Sequence, residues 1–329
     1  MKLAPWPAAR PAAAAASWDN SAPGDNQPHI VSVNRTSTGM GERLSRRVRE
    51  TTWTIRGRPF GALEWGEPAG APVVFLHGYL DHAGAWAGVA PLVPGWRIAY
   101  DHRGHGRSPH LTPSDADPFV TYQFAEYLAD LDDLLRQLGP AVLVGHSMGG
   151  TIASMYAGVR PERVLGLVTV DGLGLPDSSE RAVERMLEFL DETAVLPVNK
   201  VFVSRAEAAQ RLRRTHPALS VEVADALIAR GVREVEGGVT WSWDARHRIR
   251  GPIPYRHANH VQFLRRVECP VLCVYPERSP FAATDVAALV GAMPHRRELT
   301  VPNAGHMVHL DAPEVLGAAV AEFVASLLG

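Results

Sequence analysis

Four short apolar runs limit what this chain can become. Val73-Val74-Phe75-Leu76, Ala141-Val142-Leu143-Val144, Val164 to Val170 and Val271 to Tyr275 are apolar at nearly every position. A strand with one wet face alternates apolar and polar residues. A strand apolar in both registers is covered on both faces, as in a parallel sheet between helices. Segments of helical period separate the runs: FAEYLADLDDLLRQL, TIASMYAGV, DVAALVGAM and APEVLGAAVAEFVASLL. They supply the crossovers that parallel strands require. With TTWTIRG, PFGALEWG, Arg97 to Tyr100 and RRELTV as further strands, the expectation is an α/β fold with a mostly parallel eight-stranded sheet flanked by helices. The first two of these pair around Gly57-Arg58-Pro59, and Asp81 is expected to cap a helix over HAGAWAGVAPLV.

The alternation stops after Asp171. Residues 173–262 are charged and helical in period, and read as a helical cap inserted after the sixth strand; residues 46–172 and 263–329 then form the core. Residues 1–45 are rich in Ala and Pro without any period, and read as a disordered tail. Pro5, Pro7 and Pro11 interrupt the apolar stretch that an export signal needs. A cytoplasmic location follows, with export by this segment as the alternative and Met40 as an alternative start.

Composition narrows the function classes. Across 329 residues the formal net charge is −2, which leaves no basic footprint for nucleic acid. No run reaches the ~18 apolar residues of a membrane span. Cys269 and Cys273 fit no zinc or redox spacing. Two positions on one strand make a poor disulfide, so they read as buried thiols in a reducing compartment. The histidines show no local metal-ligand spacing; neither cofactor nor metal is expected.

The stretch Gly145-His146-Ser147-Met148-Gly149-Gly150 lies where a buried strand meets a helix. A chain turning abruptly there strains the apex residue, and small neighbours let the backbones approach. Ser147 then projects from the sheet edge beside a helix N-terminus, where a base can make its hydroxyl a nucleophile. His306, in NAGHMVHLDAPE, falls between the last strand and the last helix, on the same edge. It can take the serine proton and return it. His309 is the rival and reads as packing or capping, and His82, His102 and His105 read as structural. For the developing oxyanion, the N–H of Met148 and that of Tyr79, after the bend at Gly78, are the expected donors.

Taken in order, FLHGYLD, DHRGHGRS, GHSMGG and NAGHMVHLDAPE resemble the α/β-hydrolase fold family over nearly the whole chain after residue ~50. WSWDARHRIRGPIPYR is similar to a subgroup of bacterial serine-hydrolase-like proteins. The resemblance implies a capped serine hydrolase; a serine at the elbow sets it apart from branches with an aspartate nucleophile. It also exposes a departure. Where the family places Asp after the seventh strand, this chain has Ser279. Asp171, at the end of the preceding strand, is the expected acid that orients His306, with Glu277 as the alternative. The expected activity is cleavage of a small apolar carboxylic ester or thioester through an acyl-enzyme. A carbon–carbon bond hydrolase, a cofactor-free perhydrolase and a non-catalytic binding protein are the alternatives. Apolar residues of LEFLDETAVLPVNKVFV, with Trp241 and Trp243, are candidates for the substrate wall; anchoring of the cap is the other reading for the two tryptophans.

Overall fold

A computed structural model describes residues 48–111, 121–279 and 283–328, so the expected tail and Met40 lie outside the described residues. Strands β1 (Arg49–Ile55) and β2 (Arg58–Trp65) form an antiparallel hairpin. Its turn is Arg56-Gly57, with φ of 49° and 76°, the double positive geometry that suits the twist of a two-residue hairpin loop. Arg58 and Pro59, expected in the turn, are already paired in β2.

There follow β3 (Val73–Leu76), β4 (Arg97–Tyr100), α1 (Phe124–Leu138), β5 (Ala141–His146), α2 (Met148–Val159) and β6 (Val164–Val170). An insertion then carries α3 (Ala182–Ala194), β7 (Val201–Phe202), α4 (Arg205–Thr215), α5 (Val221–Gly231), β8 (Val232–Val235) and β9 (Gly238–Trp241). The chain returns through α6 (His257–Leu264), β10 (Val271–Pro276), α7 (Ala283–Gly291), β11 (Arg296–Val301), α8 (Val308–Asp311) and α9 (Pro313–Leu328).

The eight-stranded sheet has the order β1-β2-β4-β3-β5-β6-β10-β11. β1 and β2 are antiparallel to their neighbours, and the pairs from β4 across to β11 are parallel. The unbroken apolar runs are explained by the two layers they serve. Val74 and Leu76 of β3 join the layer of Leu131 and Leu134 from α1 and Ile152 and Tyr156 from α2. Val73 and Phe75 join the opposite layer, with Trp86 and with Leu316, Val320 and Phe323 of α9. Period 2 thus sends successive side chains to opposite cores.

Two expectations need correction. HAGAWAGVAPLV forms 3-10 turns over Ala83–Gly88 and Ala90–Leu92, and His82, whose ring accepts the Gly84 N–H, is the cap rather than Asp81. Two glycines and Pro91 favour tight turns over a regular helix. The insertion is not wholly helical either, because β7, β9 and β8 form a three-stranded antiparallel sheet. Phe202, Ala208, Ile228 and Val239 pack its small core.

Cys269 and Cys273 are both buried and unbridged. Burial pushes their thiols up to about 12 and about 11, which makes them poor nucleophiles. No helix among the described residues is long and apolar enough to cross a membrane.

Candidate active site

β5 ends at His146 and α2 begins at Met148, so a single residue, Ser147, makes the turn. Its φ is 50° and its ψ −118°, a region costing roughly 1–3 kcal/mol for a residue with a side chain. Close packing holds it there. A Cβ on Gly149 would sit 2.3 Å from the carbonyl oxygen of Leu76, and one on Gly145 2.3 Å from that of Gly149. Only glycine lets β3, β5 and the head of α2 approach this closely. The Ser147 N–H donates to the Val170 carbonyl at 3.0 Å, tying the turn to the end of β6.

Three side chains meet at this edge. Ser147 Oγ lies 3.0 Å from His306 Nε2. His306 Nδ1 lies 2.7 Å from Asp171 Oδ2. A carboxylate oxygen only accepts, so Nδ1 carries the proton and Nε2 presents a lone pair to the serine. Asp171 is buried. Its other oxygen, Oδ1, accepts from the Ser279 hydroxyl at 2.9 Å. Strand order explains the pairing: β6 lies between β5 and β10, so an acid at the tip of β6 sits next to the serine's strand. Ser279, where the family pattern calls for the acid, reaches across as a donor to it. Glu277 is used elsewhere, accepting the Asn303 N–H at 2.8 Å within the loop that leads to His306.

The loop after β3 passes beside the elbow. A Cβ on Gly78 would come within 3.4 Å of Ser147 Cβ. His77 anchors this loop: its Nε2 accepts the His102 N–H at 2.9 Å and its Nδ1 pairs with the Gly78 carbonyl at 2.8 Å. Burial lowers the His77 pKa and keeps the ring neutral, as these roles require. The N–H of Met148 lies in the first turn of α2, where intrahelical acceptors are lacking. Tyr79 follows Gly78, and its hydroxyl donates to the His247 carbonyl at 2.8 Å, reaching the insertion.

Two histidines that the sequence marked as structural pack against other rings. His105 packs against His77 and His247, with ring centroids 5.0 and 4.0 Å apart. His309 is buried in α8 against Trp86. Trp241 packs on Phe202 inside the insertion's own core, and the guanidinium of Arg248 lies over Trp243. Neither contact makes a substrate wall. Leu187, Leu190, Val195, Leu196 and Val198 are exposed. Beside Asp171, a shallow cleft is lined by Leu173, Leu175, Tyr275 and Val286.

With this geometry in hand, comparison with known proteins is decisive at the level of family. Residues 71–313 match the family model described as the alpha/beta hydrolase fold. The chain belongs to the α/β-hydrolase fold family. A serine hydrolase-like protein of Danio rerio is 29% identical over 287 residues, which cover 81% of this chain and 86% of that protein. The sn-1-specific diacylglycerol lipase of Mus musculus is 28% identical over 277 residues, covering 77% and 80%. Among solved structures, a thioesterase domain from the curacin biosynthetic pathway is 31% identical with a TM-score of 0.74, covering 83% of this chain and 99% of that domain. Relatives with these names support hydrolase activity in this α/β-hydrolase.

Two contributors were not foreseen. His146 is buried beside the nucleophile, and its Nε2 pairs with the His306 backbone carbonyl at 2.9 Å, bracing the histidine loop against the elbow. Asp101 and Arg230 form a buried ion pair between the loop after β4 and α5 of the insertion. Neither has a local signature, because each partner lies more than a hundred residues away along the chain.

Proposed function

We propose that this chain is a serine hydrolase that cleaves a carboxylic ester or thioester through an acyl-enzyme. The observation that carries the reading is the relay of 3.0 and 2.7 Å from Ser147 through His306 to Asp171. It stands at the head of α2, where the helix dipole favours developing negative charge. In the first step His306 Nε2 takes the Ser147 proton as Oγ attacks the carbonyl carbon. Asp171 holds the imidazolium that forms. The N–H groups of Tyr79 and Met148 donate to the oxyanion. His306 then hands the proton to the leaving alkoxide or thiolate, and the acyl group stays on Ser147. Water attacks that ester with His306 as base, and the acid departs with Ser147 restored.

Asp171's placement favours an enzyme over a binding protein, since it stands beside His306 where Ser279 alone would offer no charge. Apolar residues beside Asp171, among them Leu173 and Leu175, favour a substrate with an acyl or aryl group, and the insertion is the proposed cap. Names of relatives, a diacylglycerol lipase and a thioesterase domain, agree with acyl transfer to water.

The test is turnover of p-nitrophenyl acetate and butyrate, with labelling by a fluorophosphonate. Ser147→Ala should lower kcat by ~10⁶ and abolish labelling while the fold persists. Undiminished turnover in that variant overturns the proposal.

A further inference from the structure

Behind the elbow, three segments bring together Asp81, His146 and His309, from the loop after β3, the end of β5 and α8. One ligand-capable atom from each lies within 4.8 Å of the other two. These atoms are unusual for a protein interior. His146 Nδ1, both ring nitrogens of His309 and Asp81 Oδ2 are buried, and none has a hydrogen-bond partner among the described residues. His309 Nε2 stands 3.6 Å from Asp81 Oδ2, within ion-pair range but beyond hydrogen-bond reach. Each buried polar atom left so costs about 1–3 kcal/mol, and convergence of several at one point calls for a bound water or ion.

The chemistry of the donors selects the ligand. His146 Nε2 faces the His306 carbonyl, which only accepts, so Nε2 carries the proton and Nδ1 is left as a buried bare lone pair. An imidazole whose far N–H is held by a backbone carbonyl is the usual outer arrangement of a metal-bound histidine. Two imidazole nitrogens and one carboxylate oxygen suit zinc-type ions. Magnesium and calcium prefer all-oxygen shells. Donors about 2.0–2.2 Å from an ion sit about 3.5 Å apart, so ring rotations closing the gaps by about an ångström complete the shell, with water as a fourth ligand.

We infer that Asp81, His146 and His309 form a binding site for a divalent transition-metal ion, directly behind the nucleophile turn. Spacing along the sequence could not show it, since positions 81, 146 and 309 share no local motif. The site does not depend on the hydrolytic reading. It does touch that machinery, because Asp81 belongs to the loop carrying Tyr79, and His146 adjoins Ser147 and braces His306.

The experiment titrates the full chain, stripped with a chelator, with cobalt(II), following visible absorption and equilibrium dialysis. One equivalent should bind with a low-coordinate cobalt spectrum, and zinc should displace it. Asp81→Asn and His309→Gln should each weaken binding at least ~10-fold, with circular dichroism in metal-free buffer showing that each is folded. Should one unfold, the other carries the test. His306→Ala should leave binding intact, since only the backbone of residue 306 meets His146. Absence of a stoichiometric equivalent in the wild type overturns the inference. So does full-strength binding in both ligand variants, or loss of binding in His306→Ala alone. Ester turnover in metal-free buffer separates this outcome from failure of the hydrolase proposal.

Discussion

Ser147 and Asp171 both end their strands with a positive φ, 50° and 43°. Strain of this kind persists only where surroundings over-determine it, and here the two residues flank one imidazole. Their chemistry gives a sharp contrast between two carboxylates. Asp171→Asn should lower kcat for p-nitrophenyl esters by ~10³–10⁴, because the amide can favour the wrong His306 tautomer. Glu277→Gln should change kcat little, its carboxylate serving Asn303. Equal effects from the two substitutions would remove Asp171 from its role. Ser279→Ala deletes one hydrogen bond to the Asp171 carboxylate and should cost roughly 2–10-fold by the same assay. Ser147 and His306 could be read in the sequence because each carries a local pattern at a strand end. For the acid, the sequence put Asp171 ahead of Glu277 from its place at a strand end but could not decide between them, since that depends on β6 lying between β5 and β10, a fact of pairing rather than of spacing. The orphaned cluster at Asp81, His146 and His309 is hidden for the same reason.

At the scale of elements, α2 and α6 cross at Gly158, where a Cβ would sit 2.1 Å from the Phe263 carbonyl oxygen. Backbone cannot yield as a side chain can. Gly158→Ala should therefore lower stability by about 1–3 kcal/mol, read as a lower urea midpoint at unchanged slope. Beside this crossing, His260 of α6 is buried with both nitrogens engaged. Ser154 Oγ, which donates to the Thr151 carbonyl, accepts from Nε2 at 3.0 Å, and the Tyr255 hydroxyl donates to Nδ1 at 2.5 Å. Burial, with a smaller contribution from His257, lowers its pKa to about 4. The unfolded chain takes up this proton near ~6.5, so below that value the unfolded state binds more protons. Stability should fall as pH drops from ~6.5 to ~4, by up to about 3 kcal/mol from this group. His260→Gln should remove one proton's share of that slope in urea titrations across the window. An unchanged slope would mean that His260 ionises freely in the folded state. Long periodic elements such as α1 and the four buried strands were legible because burial on one or two faces fixes their composition. Strands β7, β8 and β9 were not: with two to four residues each, they are too short to establish a period.

On the scale of the whole molecule, a buried ion pair helps fasten the insertion to the core. Arg230, at the end of α5, places Nη2 2.6 Å and Nε 3.1 Å from Asp101 Oδ2, and Nη1 3.2 Å from Glu50 of β1. Asp101 is fully buried. Its oxygens also accept the N–H groups of Ala83 at 2.7 Å and Arg107 at 2.8 Å. Burial alone would raise the Asp101 pKa, but the Arg230 charge and hydrogen bonds outweigh it and hold the group ionised. A second clasp, from Tyr79 to His247 and from Asp244 to the Gly104 carbonyl, joins the same loops to residues 244–247. Arg230→Met keeps the volume and deletes the charge, leaving Asp101 buried and uncompensated. The expected loss is about 3–5 kcal/mol in urea unfolding. Because Arg230 belongs to the insertion and Asp101 to the core, the damage should be unequal. Limited proteolysis should cut residues 175–255 faster in the variant while fragments of the eight-stranded sheet persist. Should the variant instead match the wild type in both urea midpoint and cleavage rate, the insertion would be held by the Tyr79 and Asp244 clasp, and the Arg230–Asp101 pair would be incidental to how the two parts stay together.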